Sequence, residues 1–205
     1  MPAGLDGPMT VTRVVDGDTV KVSNGKTLRL IGVDTPETVD PRKPVQCFGR
    51  EASAHAHALL DGATVWLEYD PTQGRLDRYG RTLAYVWMSD GRLYNETIIG
   101  DGYAHQYTYD LPYRYRDTFL AAERSAREAG RGLWSSTTCA GDTTTPAGST
   151  KPPPTTSGCD PSYPDVCIPP PPPDLSCTQI PFRHFRVIGA DPHGFDRNHD
   201  GIGCE

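Results

Sequence analysis

Apolar and polar residues alternate along the first ninety residues with the two-residue period of β-strands. The alternation predicts five strands, over residues 11–15, 19–22, 27–31, 64–69 and 83–88. Asn24-Gly25 lies between the second and third strands and is a strong signal for a tight hairpin turn. The chain therefore opens as a largely antiparallel β structure.

Three other segments have helical spacing of their apolar residues. Residues 49–60 predict one helix, and residues 116–129 predict a longer one that Gly130 ends. A short helix is predicted with Asn95 as its N-terminal cap and Ile98 on its inner face. This order of elements is compatible with a five-stranded, partly open barrel with helices, but the order alone does not select one fold.

The composition changes abruptly from Gly141, where threonine and proline become frequent. We therefore predict three parts: a barrel domain over residues 9–139, a Thr/Pro-rich linker over 140–175, and a small module over 176–205. The chain has 205 residues and no apolar run long enough to span a bilayer. No membrane insertion is expected.

The formal net charge is −6, which excludes a polycation that coats nucleic acid non-specifically. Before Cys139 there are 16 Lys and Arg against 18 Asp and Glu, and after it 4 against 8. The acidic excess thus lies mostly in the C-terminal part. Any phosphate binding must come from individual arginines or from a metal ion.

Six cysteines without a CxxC pair favour disulfides over a zinc site. Six cysteines allow fifteen pairings. We favour Cys47–Cys139, Cys159–Cys167 and Cys177–Cys204. Disulfides indicate an oxidising compartment, so an extracellular or cell-surface location is expected, although the sequence begins with no signal peptide.

Three carboxylates and two arginines carry the candidate chemistry. Asp18, Asp34 and Glu37 offer the hard oxygen atoms that suit Ca²⁺ or Mg²⁺. Arg29, in an apolar strand, and Arg81 could each bind an anion. Taken singly, each residue also fits a turn, a strand end or a solvated surface.

The order and spacing of the segments DGDT at residues 16–19, LRLIGVDTPE at 28–37 and DRYGR at 77–81 resemble the staphylococcal-type thermonucleases over about residues 11–134. The resemblance implies an OB-fold barrel and Ca²⁺-dependent hydrolysis of DNA and RNA phosphodiester bonds, leaving 3′-phosphate ends. Base readout is expected to be weak, because phosphate and sugar contacts carry little sequence information.

The resemblance also implies roles for residues. Asp18, Asp34 and the Thr35 carbonyl are the implied Ca²⁺ ligands, and Glu37 is implied to orient or deprotonate the attacking water. Arg29 and Arg81 are implied to bind the phosphate and stabilise its developing charge. The nucleotide-contacting tyrosines would be Tyr79, Tyr107 and Tyr109, which could instead form an aromatic cluster at the barrel edge. Surface positions are expected for three scattered histidines, His55, His57 and His105.

The last ten residues begin with the DxNxDG pattern of an EF-hand loop. Their acidic residue comes at position ten, and the loop resembles the small extracellular calcium-binding module called excalibur. The implied Ca²⁺ ligands are Asp196, Asn198, Asp200, the Ile202 carbonyl and Glu205. An Asx-rich turn without a metal is the alternative.

Two other functions stay open from the sequence. One is a nucleic-acid-binding barrel without catalysis, and the other is a calcium-dependent cell-surface attachment protein in which the C-terminal part matters most. DNA and RNA are the expected partners, and no obligate protein partner is evident.

Overall fold

The computed structural model of the chain describes residues 1–38, 44–144, 146 and 158–205. Part of the predicted linker, residue 145 and residues 147–157, lies outside the described residues. Within the described part, no helix is long and apolar enough to cross a membrane.

Five strands form a closed barrel in the order β1-β2-β3-β6-β5. Their bounds are β1 Asp6–Val14, β2 Thr19–Val22, β3 Thr27–Leu30, β5 Thr64–Glu68 and β6 Thr82–Met88. Neighbouring strands are antiparallel except β3 and β6, which are parallel, with Leu28 opposite Thr82. The predicted five-stranded OB-type barrel is confirmed, and the pairing of β1 with β5 closes it.

Three α-helices and a short 3₁₀-helix accompany the barrel. They are α1 Gly49–Leu60, α2 Tyr94–Gly100, α3 Arg116–Glu128 and the 3₁₀-helix Gly132–Trp134. A two-stranded ladder joins β4, Val33–Asp34, to β7, His105–Gln106. The barrel interior and the inner faces of α1, α2 and α3 share one core, in which Leu28, Leu30 and Phe119 are almost fully buried.

The predicted cap at Asn95 is wrong. The residue that precedes α2 is Leu93, which makes no side-chain cap hydrogen bond, and Asn95 lies inside the helix and is fully buried. Its side-chain oxygen accepts a hydrogen bond from Val86 N–H at 2.9 Å, and its amide donates to the Ile31 carbonyl at 2.9 Å. Asn95 therefore links α2 to β6 and to the residue that follows β3.

A second, smaller core lies in the C-terminal part, with Tyr163, Ile168, Phe185 and Phe195 among its buried residues. The ladder of β8, Phe185–Arg186, with β9, Ile202–Gly203, lies beside it. The disulfides are Cys47–Cys139, Cys159–Cys167 and Cys177–Cys204, the three pairs that the sequence favoured. Two of them lie in this C-terminal part, where a small core gains most from covalent links.

Candidate active site

Asp18 stands in the turn between β1 and β2, and its carboxylate accepts three hydrogen bonds. Its Oδ1 accepts from the Thr19 hydroxyl at 2.9 Å, and its Oδ2 accepts from the Thr35 N–H at 3.1 Å and the Thr35 hydroxyl at 3.2 Å. Gly17 permits this approach, because a Cβ there would lie 2.4 Å from the Thr35 methyl group. The turn is thus fixed against the segment that follows β4.

Arg29 lies in β3 and points toward two carboxylates rather than toward solvent. Its Nη1 donates to the carbonyls of Leu30 and Val33 at 2.8 and 2.6 Å. Its Nε lies 3.4 Å from Asp18 Oδ1, and its Nη2 lies 3.7 Å from Asp34 Oδ1. The side chain is only 16% exposed. An arginine in a strand can face either solvent or the protein, and Arg29 faces a cavity.

Arg81 immediately precedes β6, and Asp77 sets its orientation. Arg81 Nε donates to Asp77 Oδ2 at 2.6 Å, and Arg81 N–H donates to Oδ1 at 2.9 Å. Arg81 Nη1 also reaches the Thr19 hydroxyl at 3.4 Å. Burial alone would raise the pKa of Asp77, but the bonds from Arg81 and Tyr79 lower it below its usual value, so the pair is charged at neutral pH.

Glu37 follows β4 and is bonded through its main chain to Gln46. Its N–H donates to Gln46 Oε1 at 2.7 Å, and its carbonyl accepts from Gln46 N–H at 3.0 Å. The Glu37 residue is partly buried. These two bonds fix the backbone on which the carboxylate is carried.

The predicted catalytic and barrel-domain metal-binding residues share one cavity of about 290 Å³. It is lined by Asp16, Asp18, Arg29, Asp34, Thr35, Pro36, Glu37, Gln46 and Arg81. Burial, and then the charge of Asp18, raise the pKa of Asp16 to about 7, and the same two causes raise the pKa of Asp34. Four carboxyl groups around one small space repel one another, which a cation would relieve.

The donor set of this cavity fits a hard cation. Carboxylate oxygens from Asp18 and Asp34 are the ligands that Ca²⁺ and Mg²⁺ prefer, and none of the described residues that line the cavity carries sulfur or imidazole. Among the residues that the structure describes, no group of three or more His, Cys, Asp or Glu side chains is placed to hold a metal ion. A bound ion would therefore need main-chain or water oxygens in addition to the two aspartates, as the Thr35 carbonyl was predicted to supply.

A second cavity of about 500 Å³ adjoins the first, with Arg29, Asp34 and Arg81 common to both. The three predicted substrate-binding tyrosines line it: Tyr79, Tyr107 and Tyr109. Tyr79 and Tyr109 are 67% and 72% exposed, and the Tyr107 and Tyr109 rings are 6.4 Å apart. Large exposed rings beside a cavity lined by two arginines suit base stacking.

The C-terminal loop, residues 196–205, folds around the carboxylate of Asp196. Asp196 accepts hydrogen bonds from the N–H groups of Asp200 and Gly201 at 3.1 and 2.8 Å. The Asn198 amide donates to the carboxylates of Asp200, at 3.1 Å, and Glu205. Burial and a neighbouring carboxylate raise the pKa of both acids. Four of the five predicted ligand residues thus meet in one loop, and Ile202 lies beside them in β9.

The C-terminal loop also contacts the barrel domain. Arg116, in the first turn of α3, has Nη2 3.7 Å from Asp200 Oδ2 and 3.6 Å from Glu205 Oε1. Nearby, the rings of His105 and His184 stack at 4.8 Å. The expected surface position of His105 is wrong, because its residue is only 4% exposed, between His184 and Trp134.

Sequence reasoning missed two residues that line the first cavity, Asp16 and Gln46, and one that lines the second and orients Arg81, Asp77. Asp16 was assigned only to a turn, and Asp77 and Gln46 were given no role. Asp77 could have been found as an Asx-turn residue, since an aspartate in a turn often accepts a hydrogen bond from the N–H two residues on, as Asp77 does from Tyr79. For Gln46 the chain offers no local signal, because its partner Glu37 lies nine residues away.

A five-stranded barrel whose edge brings carboxylates and arginines into one cavity, beside a cavity with exposed tyrosines, defines an OB-fold nuclease. The model of the family described as "Staphylococcal nuclease homologue" matches residues 27–136, more than half of the chain. This protein belongs to the staphylococcal nuclease homologue family.

Similar proteins agree with this placement. The chain is 44% identical over 128 residues to a thermonuclease of Staphylococcus hyicus, covering 61% of this chain and 74% of the relative. It is 41% identical over 127 residues to a thermonuclease of Staphylococcus intermedius, covering 60% and 74%. It is 40% identical over 131 residues to endonuclease YncB of Bacillus subtilis strain 168, covering 62% and 61%. These relatives support a nuclease function for this chain.

Proposed function

We propose that this protein is a Ca²⁺-dependent nuclease that hydrolyses the phosphodiester bonds of DNA and RNA with little sequence specificity and leaves 3′-phosphate ends. One observation carries the proposal: Arg29, Glu37 and Arg81 line the same 290 Å³ cavity as Asp18 and Asp34. A single phosphate in this cavity would thus be within reach of two guanidinium groups, one candidate base and two carboxylates that suit a hard cation.

The residues divide the reaction between them. Glu37 accepts the proton of the attacking water as the new P–O bond forms, and the leaving 5′ oxygen departs on the opposite side of phosphorus. Arg29 and Arg81 donate to the phosphate oxygens, where guanidinium forks match the geometry of an anion and stabilise charge that builds in the transition state. Each arginine is already oriented, Arg29 by two carbonyls and Arg81 by Asp77, so little reorganisation is needed.

Asp18, Asp34 and the Thr35 carbonyl would hold the Ca²⁺, which when bound offsets the phosphate charge as a Lewis acid. Asp18 is preorganised for this, because its neighbours fix both oxygens without neutralising them. Arg29 would share Asp18 and Asp34 with the cation, while its bonds to the Leu30 and Val33 carbonyls keep its guanidinium oriented.

The second cavity supports low sequence specificity. Tyr79, Tyr107 and Tyr109 offer ring faces, and every base has a face on which to stack. Arg78 lies 4.8 Å from the Tyr79 ring centroid and adds positive charge beside the path of a backbone. We expect single-stranded nucleic acid to cross this cavity with its scissile phosphate in the first one.

For the C-terminal loop we propose a second Ca²⁺ site of the excalibur type, held by Asp196, Asn198, Asp200, the Ile202 carbonyl and Glu205. The oxygen-only donor set supports it, as do the hydrogen bonds that join Asn198 to Asp200 and Glu205 and the Asp200 N–H to Asp196. Three disulfides support an extracellular or cell-surface location.

Cleavage of single-stranded DNA, duplex DNA and RNA in Ca²⁺, in Mg²⁺ and in chelator tests the proposal. We expect cleavage of all three in Ca²⁺, with new ends that a 3′-phosphatase converts to hydroxyls, and loss of cleavage in chelator. Binding without cleavage in every buffer would contradict it and indicate a non-catalytic nucleic-acid-binding barrel.

A further inference from the structure

The main chain of Glu37 is held by hydrogen bonds to the segment that leads into α1. Both main-chain polar groups of Glu37 bond to one residue, Gln46, whose side-chain oxygen accepts at 2.7 Å and whose N–H donates at 3.0 Å. Only the first of these bonds depends on the identity of the Gln46 side chain. Gln46 also lines the catalytic cavity.

The residues that follow Gln46 anchor it to Cys139 and to a small apolar cluster beside α3. Cys47 is joined to Cys139 across 92 residues of sequence. Phe48 packs against the cluster of Leu133 and Trp134. A Cβ on Gly49 would lie 3.1 Å from the Glu37 carbonyl oxygen, so the start of α1 lies directly against the Glu37 segment.

We propose that Gln46 is a positioning residue for the Glu37 carboxylate, and that the Cys47–Cys139 disulfide keeps Gln46 in place. The inference rests on the proposed role of Glu37 as the base. A carboxylate that must meet a water in line with a phosphate loses rate steeply when its backbone shifts, and a displacement of 1 Å can cost about a hundredfold.

The identity of residue 46 also fits this role. The Glu37 N–H needs an acceptor, and an amide oxygen supplies one without charge. Four carboxyl groups already line the cavity, so a neutral acceptor avoids a fifth negative charge beside the proposed cation.

The first test compares Gln46→Leu with Gln46→Glu in Ca²⁺, using single-stranded DNA and measuring kcat and KM separately. Leucine has a similar size but no acceptor, and we expect kcat to fall about tenfold with KM within about twofold. Glutamate keeps an acceptor but adds a negative charge beside the proposed cation, so we expect kcat at saturating Ca²⁺ to return to within about threefold of the original protein and the Ca²⁺ requirement to rise. Equal kcat in all three proteins would overturn the proposal.

The same substitution in a Glu37→Gln background shows whether Gln46 acts through Glu37. We expect Gln46→Leu to change the residual rate of Glu37→Gln by less than about twofold, because there is no base left to position. The same tenfold loss in both backgrounds would overturn the proposal and assign Gln46 to the substrate or to the fold. If Glu37→Gln alone kept the original rate, the proposed role of Glu37 would fail and the positioning role with it, a result distinct from either of the others.

The disulfide is tested with the double variant Cys47→Ser/Cys139→Ser, and with Cys159→Ser/Cys167→Ser as the matched control. Assays are made at a temperature well below the midpoint of thermal unfolding of each protein. We expect kcat to fall about tenfold in the first variant, with KM nearly unchanged, and to stay constant in the control. An unchanged kcat in the first variant would overturn the part assigned to the disulfide. If that variant does not fold, reduction of the folded protein with monitoring of the 47–139 bond gives the same comparison.

Discussion

At the residue scale, the site is built on side chains whose geometry matters as much as their charge. Arg29 makes two carbonyl contacts and two carboxylate contacts from a single planar group. A lysine at this position would keep the charge but present one point donor. The chemistry of this cavity therefore depends on the fork and not on the charge alone.

Arg29→Lys is expected to lower kcat/KM about a hundredfold, because the ammonium group cannot serve phosphate and backbone together. Steady-state cleavage of single-stranded DNA measures the effect. Arg92→Lys is the control, since Arg92 is exposed and pairs with Asp90 in a hairpin. Equal losses in the two variants would contradict a specific role for Arg29.

Asp34→Asn is expected to raise the Ca²⁺ concentration for half-maximal activity about tenfold or more, because the affinity of such sites depends on the number of charged ligands. Titration of cleavage with Ca²⁺ measures the shift. Asp90→Asn should leave the curve unchanged. An unaltered curve for Asp34→Asn would remove this carboxylate from the cation site.

At the scale of elements, the periodicity of apolar residues predicted the helices, strands and turns that local sequence determines. The helix over 49–60, the strand over 19–22 and the Asn24-Gly25 hairpin are confirmed. The β4–β7 ladder has only two residues on each side and joins segments about seventy residues apart, so no pattern announces it. Asn95 was misassigned for a related reason: an asparagine near a helix start looks like a cap unless its distant partners are known.

The residues of the candidate active site also fall into those that the sequence predicted and those that it did not. The charged residues of the site could be found because their types and spacing resemble a family, whereas two of the groups that orient them could not. Gln46 and the Thr35 hydroxyl act through contacts that only the closed barrel creates. Resemblance thus supplied the candidate chemistry, and the tertiary structure supplied what orients it.

Gly17→Ala tests the contact between the β1–β2 turn and the segment after β4. The new methyl group would lie 2.4 Å from the Thr35 side chain, and we expect the free energy of unfolding to fall by about 1–3 kcal/mol. Gly100→Ala is the control, because its added carbon would lie 3.7 Å from Ala122, an ordinary contact. Urea unfolding measures both, and equal stability of the two variants would contradict the predicted close packing.

At the scale of the whole molecule, the two cores meet through charged and ring contacts. Burial, and then the nearby His105, lower the pKa of His184 to about 3. Glu123 opposes this shift, while Arg127 and Arg183 add to it. Since the unfolded chain would bind a proton at His184 near pH 6.5, the protein is fully stabilised by this group above that pH and loses the contribution as the pH falls toward 3.

His184→Phe keeps a ring against His105 and removes the titration. We expect the original protein to lose up to about 1.4 kcal/mol more stability per pH unit than this variant between pH 6 and 4. Urea unfolding at several pH values measures the two slopes. Parallel slopes would show that His184 is not held neutral by its surroundings.

The central claim is that Glu37 is the base of a Ca²⁺-dependent nuclease, and kcat for single-stranded DNA cleavage by Glu37→Gln tests it most directly. The matched control is Glu51→Gln, which removes the charge of an exposed residue in the first turn of α1. We expect Glu37→Gln to lower kcat by about 10²- to 10⁴-fold with the fold intact, and Glu51→Gln to leave it unchanged. A Glu37→Gln protein that cleaves at the original rate would contradict the account.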